Sequence, residues 1–213
     1  MGTKNWRLIL ASASPQRLKI LKDAGFECTT FPSNSSESFN ENLTLNENLS
    51  AISREKIITI LPKLSIRKQK GILILGADTV VVLRKKVFGK PENEADARRM
   101  LSALSGKTHE VKTAFSIFCP DQTRGVTRVV TSLVKFRRLS EKEIKCYIES
   151  KEPFGKAGSY AIQGKAKEFV KYVDGDFLNV VGLPLAEFKS ELRRQRWNVR
   201  VRKQNKKSSR KNR

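Results

Sequence analysis

Short apolar runs alternate along the chain with segments whose apolar positions recur every three to four residues, the pattern of strands interleaved with helices. "RLILAS" (residues 7–12) predicts a short buried strand. In "PQRLKILKDAGF" (15–26), Leu18, Ile20, Leu21 and Ala24 form one apolar helical face, with Gly25 as its stop. "ECTTFP" (27–32) predicts a second strand, residues 33–48 are polar and turn-rich, and "LSAISREKIITILPKL" (49–64) returns to helical spacing until Pro62 disturbs it. "GILILGADTVVVL" (71–83) is apolar nearly throughout, as an interior strand should be. "ENEADARRMLSALSG" (92–106) predicts a helix ending at Gly106. "HEVKTAFSIFC" (109–119) and "TRVVTSLVKFRRL" (127–139) predict an antiparallel hairpin over the loop "PDQTRG". Ser140 and Glu143 form a capping box opening "SEKEIKCYIES". After "KEPFGKAGSYAIQG" (151–164) come "EFVKYVDGDFLNVVGL" (168–183) and a last helix from Pro184. The alternation defines an α/β protein without internal repeats.

Composition narrows the class. A chain of 213 residues has length for one substantial core, and no run approaches the roughly 18 apolar residues of a membrane helix. The opening "MGTKNWRLILASASP" has too short an apolar stretch for a secretory signal, and Trp6 stands where a myristoylation signal wants Ser or Thr. Three widely spaced cysteines (Cys28, Cys119, Cys146) and a single histidine, His109, argue against a disulfide framework or a Cys/His zinc site. The expectation is a reduced, cytoplasmic protein with no membrane partner.

The formal net charge of +22 is unevenly spread. Residues 193–213, "RRQRWNVRVRKQNKKSSRKNR", carry 11 of the 43 Lys+Arg and no acid. They read as a basic, disordered tail following a domain of residues 1–192. Such a tail either makes weak, non-specific contact with phosphate polymers or only solubilises the chain. The remaining charge suits either nucleic acid or a pocket for a polyanionic small molecule.

Polar residues that interrupt the apolar strands carry the chemistry. Asp78 lies inside "LILGADTVVVL", where an ionised carboxylate is costly unless paired or bound to metal. Lys90 sits in a Gly-Lys-Pro turn, a position that is either solvated or phosphate-facing. "SASPQR" (12–17) closes the first strand with two hydroxyls, a proline and an arginine. Together these are what a triphosphate site needs. Hydroxyls and helix N-terminal amides bind phosphate oxygens, cations offset their charge, and carboxylates hold a divalent cation and orient water.

"LILASASPQRLKILKDAGF", "REK", "GADTVV", "GKPENEADARRMLSALSGKTHEV", "EPFGKAGSYAIQG" and "NVVGLPL" follow one another from about Leu8 to Leu192. In this order they resemble the Maf-like nucleoside triphosphate pyrophosphatases. The resemblance implies a long twisted mixed sheet with flanking helices, two lobes around a cleft, as in the inosine triphosphate pyrophosphatases. It also implies hydrolysis of a nucleoside triphosphate to monophosphate and pyrophosphate with Mg²⁺ or Mn²⁺, a house-cleaning role, a link to septum formation, and a homodimer. Asp78 falls on the family's general base, and Glu37 with Asp78 on its metal-binding carboxylates. Ser12, Ser14, Arg17, Lys56 and Lys90 fall on its phosphate-binding positions, and Gln16, Thr79 and Gln163 on positions tied to the choice of base.

Two positions depart from the family pattern: Gln16 stands where arginine is usual, and Ser36 where an acidic neighbour of Glu37 is usual. A branch acting on 7-methyl-GTP also lacks that arginine, but Tyr160-Ala161-Ile162-Gln163-Gly164 has the form of the dTTP/UTP branch, which is the expected activity. Gln163 either pairs with a pyrimidine edge through its amide or caps the turn before Gly164. A nucleic-acid-binding module would share the charge, but the chain has no basic–aromatic interleaving, zinc or helix-turn-helix pattern. A regulator of division without turnover would not need Asp78, Glu37, Lys56 and Lys90 together.

Overall fold

The structure, a computed structural model, describes residues 5–64 and 71–201. The order of elements is β1 (Asn5–Leu10), α1 (Pro15–Asp23), β2 (Cys28–Thr30), α2 (Leu45–Ile58), β3 (Ile72–Leu83), β4 (Lys86–Phe88), α3 (Glu94–Leu104), β5 (Thr108–Cys119), β6 (Arg124–Phe136), α4 (Glu141–Glu149), β7 (Val170–Asp174), α5 (Phe177–Val181), α6 (Leu185–Arg194) and β8 (Asn198–Val199). One eight-stranded mixed sheet runs β2-β1-β3-β5-β6-β7, with β4 on β3 and β8 on β1. β1 is parallel to β2 and β3, whereas β3, β5, β6 and β7 are antiparallel. The long hairpin expected from the two β-rich runs is β5–β6, paired from Thr108↔Lys135 to Cys119↔Arg124.

Alternation along β3 divides the core. Leu73, Leu75 and Ala77 point into a cluster with α1 and α6 that holds Ile20, Leu21, Phe188 and Trp197. Ile72 and Ile74, and further on Val80 and Val82, face α2 through Ile57 and Leu49. Val81 enters a separate cluster with α3, α4, Phe136 and Tyr160. The first and last of these clusters form two lobes, and the sheet between them floors a cleft at Thr79.

The local readings shift at three places. The α2 helix begins at Leu45, not Leu49, because Thr44 and Glu47 form a capping box inside the stretch that reads as turn. The second strand keeps only Cys28–Thr30. The basic tail does not start at Arg193, since α6 runs through Arg194, Trp197 is buried, and β8 pairs with β1 at Asn5↔Asn198 and Trp6↔Val199. An aromatic and a valine supplied the apolar surface that the density of arginines concealed. The rest of that expectation, residues 202–213, lies outside the described residues.

His109 illustrates how the second lobe is tuned. It is 2% exposed, edge-on to Phe136 and Tyr160, with Nε2 2.9 Å from the Tyr160 hydroxyl. Burial pushes its pKa down from 6.5 to about 4. The unfolded chain therefore binds a proton below pH 6.5 that the folded chain refuses, so stability falls as pH drops through this window. The loss is on the order of 3 kcal/mol by pH 4. His109→Phe is expected to flatten the urea-unfolding midpoint between pH 6.5 and 4, and an unchanged slope would assign that dependence to other groups.

Candidate active site

The site arises because β1 stops while β3 continues. Leu10 pairs with Leu75, Ala11 N donates to Leu75 O at 2.8 Å, and β3 then runs eight residues further. The turn Ser12–Arg17 is thereby set at the carboxyl end of β1, beside Ala77, Asp78 and Thr79, where open α/β sheets bind their ligands. Ser14 caps α1 by accepting from Arg17 N, and Pro15 occupies the first turn, where its missing N–H costs nothing.

Asp78 and Thr79 project to opposite faces of the sheet, and each meets a different cation. On the α2 face, Gly76 lets the helix approach so closely that a Cβ there would lie 2.2 Å from the Ser53 carbonyl oxygen. Ser53 and Ser116, whose residue pairs with Gly76, share a hydrogen bond of 2.7 Å. This approach brings Lys56, one turn along, to Asp78: its ammonium donates to Asp78 Oδ1 at 2.6 Å, Glu37 Oε1 at 2.9 Å and Ala77 O at 3.3 Å. Lys90 donates to the other Glu37 oxygen at 2.7 Å. Burial raises the Glu37 pKa, but hydrogen bonds from Lys90 and Lys56 and their charges outweigh it and leave it at about 2. The loop carrying Glu37 is thus tied to the sheet by two lysines.

On the other face, Arg17 is 8% exposed and bonded through each of its three nitrogens. Nη2 donates to Thr79 Oγ1 at 2.9 Å, Nη1 to Ser12 Oγ at 3.1 Å and Nε to Gly182 O at 2.8 Å. Burial lowers its pKa, opposed by the charges of Asp78 and Glu37. Thr79 is itself held by Thr113, whose hydroxyl lies 2.9 Å from it and donates to Asn179 O at 3.0 Å.

A cavity of about 900 Å³ joins both faces to the segment 151–164. It is lined by Ser12, Ser14, Gln16, Arg17, Glu37, Lys56, Asp78, Thr79, Lys90 and Gln163, so every site residue expected from the sequence reaches one space. Part of its lining is apolar, including Val81, Val111, Val180 and Val181. Gln163 stands exposed in the turn closed by Gly164 N donating to Ala161 O at 2.9 Å, between Ile162 and Gly164. Its side-chain amide makes no hydrogen bond among the described residues, so it caps nothing there. The sequence reading overlooked Lys151, Glu152 and Lys156 on the cavity wall, and Thr113 and Gly182 behind Arg17. "KEPFGKAG" signals the first three by setting charges around a glycine turn, and Gly182 lies in the run "NVVGLPL" without being singled out there, whereas Thr113 carries no local signal.

With that geometry in place, the model of the family described as Maf-like protein matches residues 7–195. The chain belongs to the Maf-like protein family. Among the relatives of this Maf-like protein is the dTTP/UTP pyrophosphatase of Bdellovibrio bacteriovorus, 42% identical over 84% of this chain and 93% of the relative. That of Caldicellulosiruptor bescii is 42% identical over 84% and 89%, and that of Bacillus thuringiensis subsp. konkukian 39% over 88% and 94%. Among solved structures, the Staphylococcus aureus Ham1 protein gives a TM-score of 0.49 at 11% identity, over 89% of this chain and 99% of that one. Among the described residues of the Maf-like protein, no helix is long and apolar enough to cross a membrane.

Proposed function

We propose that this Maf-like protein hydrolyses dTTP and UTP, and modified relatives such as 5-methyl-UTP, to the monophosphate and pyrophosphate, clearing such nucleotides from the pool. The observation that carries this reading is one cavity whose lining brings cations and hydroxyls around a paired carboxylate together with an unengaged amide, Gln163. The dTTP/UTP pyrophosphatases named above support the choice of reaction and of base.

The N-terminus of α1, Ser12 and Ser14 take the phosphate oxygens, and Arg17, Lys56 and Lys90 offset their charge. Asp78 accepts a proton from the water that attacks the α-phosphorus. The new P–O bond forms as the α–β anhydride bond breaks, and pyrophosphate leaves with its charge held by the lysines. The apolar part of the lining receives the base, and Gln163 offers it a donor and an acceptor, matching a pyrimidine O4/N3–H edge.

The family resemblance also implies a divalent cation. Glu37 and Asp78 converge on one cationic position, now taken by the Lys56 ammonium, at 2.9 and 2.6 Å. Among the described residues no cluster of three His, Cys, Asp or Glu side chains exists, so substrate phosphates would complete the shell. Two carboxylates with phosphate oxygens suit Mg²⁺ or Mn²⁺. Held by Glu37 and Asp78, the ion would supply positive charge to the phosphate oxygens.

Steady-state pyrophosphate release from a panel of natural and modified triphosphates, with and without Mg²⁺ or Mn²⁺, tests the reading. dTTP and UTP are expected to give the highest kcat/KM, and a preference for 7-methyl-GTP or the absence of turnover would overturn it. Gln163→Ala is expected to lower kcat/KM for the favoured pyrimidine by roughly 5- to 150-fold, the effect of one unpaired polar edge, and to leave poor substrates nearly unchanged. The free state of all three cysteines supports a cytoplasmic setting. A homodimer and weak nucleic-acid contact through the basic C-terminal residues complete the proposal; gel filtration and salt-dependent RNA binding test them.

A further inference from the structure

Glu152 stands out on the cavity wall because an acid there opposes a triphosphate. Its two oxygens are turned to the protein instead: Oε1 accepts from the Tyr147 hydroxyl at 3.0 Å, and Oε2 from Lys165 N at 3.2 Å. The Tyr147 hydroxyl in turn accepts from Ala161 N at 3.0 Å. These bonds grip both ends of the turn Ala161–Lys165, with Gln163 between them. Gly164 completes the fit, since a Cβ there would lie 2.3 Å from Glu152 Oε1, in the space the carboxylate fills.

The anchor itself is stiff. Tyr147 is 3% exposed, near the end of α4, and its ring packs edge-on to Phe169 at 5.0 Å. Tyr160 and Ile162 are each 6% exposed, so the turn is pinned into the second lobe on one side and presents Gln163 on the other. A turn held in this way fixes the place and direction from which the Gln163 side chain leaves the backbone.

We infer that Glu152, working through Tyr147, is a positioning residue for base selection: it clamps the turn that carries Gln163 so that the amide meets the pyrimidine edge. The inference rests on the proposed role of Gln163. Both Glu152 oxygens are committed to holding the turn, so its removal acts on recognition of the base rather than on the chemical step.

Glu152→Ala, Glu152→Gln and Tyr147→Phe test it, each assayed with dTTP, UTP and GTP beside thermal unfolding. Glu152→Gln keeps an acceptor for the Tyr147 hydroxyl but places an NH₂ or a misaligned oxygen against Lys165 N. Tyr147→Phe keeps the ring packing and removes the hydroxyl. Misplacing a recognition group by about 1 Å is worth up to roughly 100-fold. Glu152→Ala is therefore expected to lower kcat/KM for dTTP and UTP by roughly 10- to 100-fold, mainly through KM, with GTP changed by less than about threefold. Glu152→Gln and Tyr147→Phe should show smaller losses of the same selectivity, and Gln163→Ala should add little in the Glu152→Ala background. A selective loss in Gln163→Ala with an even loss across bases, or none, in all three variants overturns this inference alone. An even loss in Gln163→Ala itself overturns base reading by that residue, and this inference with it.

Discussion

Asp78→Asn is expected to lower steady-state pyrophosphate release by roughly 10²- to 10⁴-fold, the range of general-base catalysis, while the protein stays folded. Asp78 lies on an interior strand, 7% exposed, with its Oδ1 2.6 Å from the Lys56 ammonium. Asparagine has the same shape and keeps an oxygen for Lys56, so the packing of α2 on β3 survives. It cannot take a proton from water, and it removes one of the two carboxylates that the proposed mechanism assigns to a divalent ion. The unfolding transition should stay cooperative, which separates lost chemistry from lost structure. A variant retaining more than half the wild-type rate would remove Asp78 from the mechanism.

Lys56→Met should have the largest effect on stability and abolish turnover as well. Lys56 is 5% exposed and is the shared donor of Asp78 and Glu37, so methionine leaves the Asp78 carboxylate buried beside a second anion with nothing between them. Removing one partner of a buried pair costs roughly 3–5 kcal/mol. In a chain of this size that corresponds to a melting temperature lower by on the order of 10 °C. Glu37, with 42% of its side chain exposed and Lys90 still bonded to it, is screened and contributes little to the loss. Adding Asp78→Asn to Lys56→Met removes the stranded charge, so the double variant should regain much of the stability and none of the activity. If Lys56→Met melts with the wild type, or if the second substitution gives no recovery, the buried pair is not what holds α2 to the strand.

The two experiments separate functions that one lysine combines. Lys56 bridges the Asp78 and Glu37 carboxylates and so fastens the polar loop that carries Glu37 to the sheet. Among the described residues Lys90 pairs with Glu37 alone and is 55% exposed along its side chain, so its loss should weaken nucleotide binding with little change in melting.

The sequence by itself determined the elements whose signals are local. The apolar run 71–83, the period of 15–26 and the capping box at Ser140 each act over a few residues, and the structure has them as β3, α1 and α4. Asp78 was legible because a carboxylate in an apolar strand is costly unless it has a partner. The family resemblance, carried by runs such as "SASPQR", "REK", "GADT", "GKP" and "AIQG", named further residues that line the cavity, though not Lys151, Glu152 or Lys156.

Tertiary structure decided what depends on residues far apart. That Lys56 meets Asp78 follows from a glycine, Gly76, that lets a helix and a strand touch, and no periodicity reports that contact. That Arg17 faces Thr79 follows from the carbonyl of Gly182, 165 residues away in the chain. Trp197 and Val199 entered the core against the reading of their charged surroundings, because burying their apolar surface is favourable and leaves the neighbouring arginines solvated at the surface. Spacing along the chain encodes which face a side chain takes; which partner waits on that face is set only when separate elements pack together.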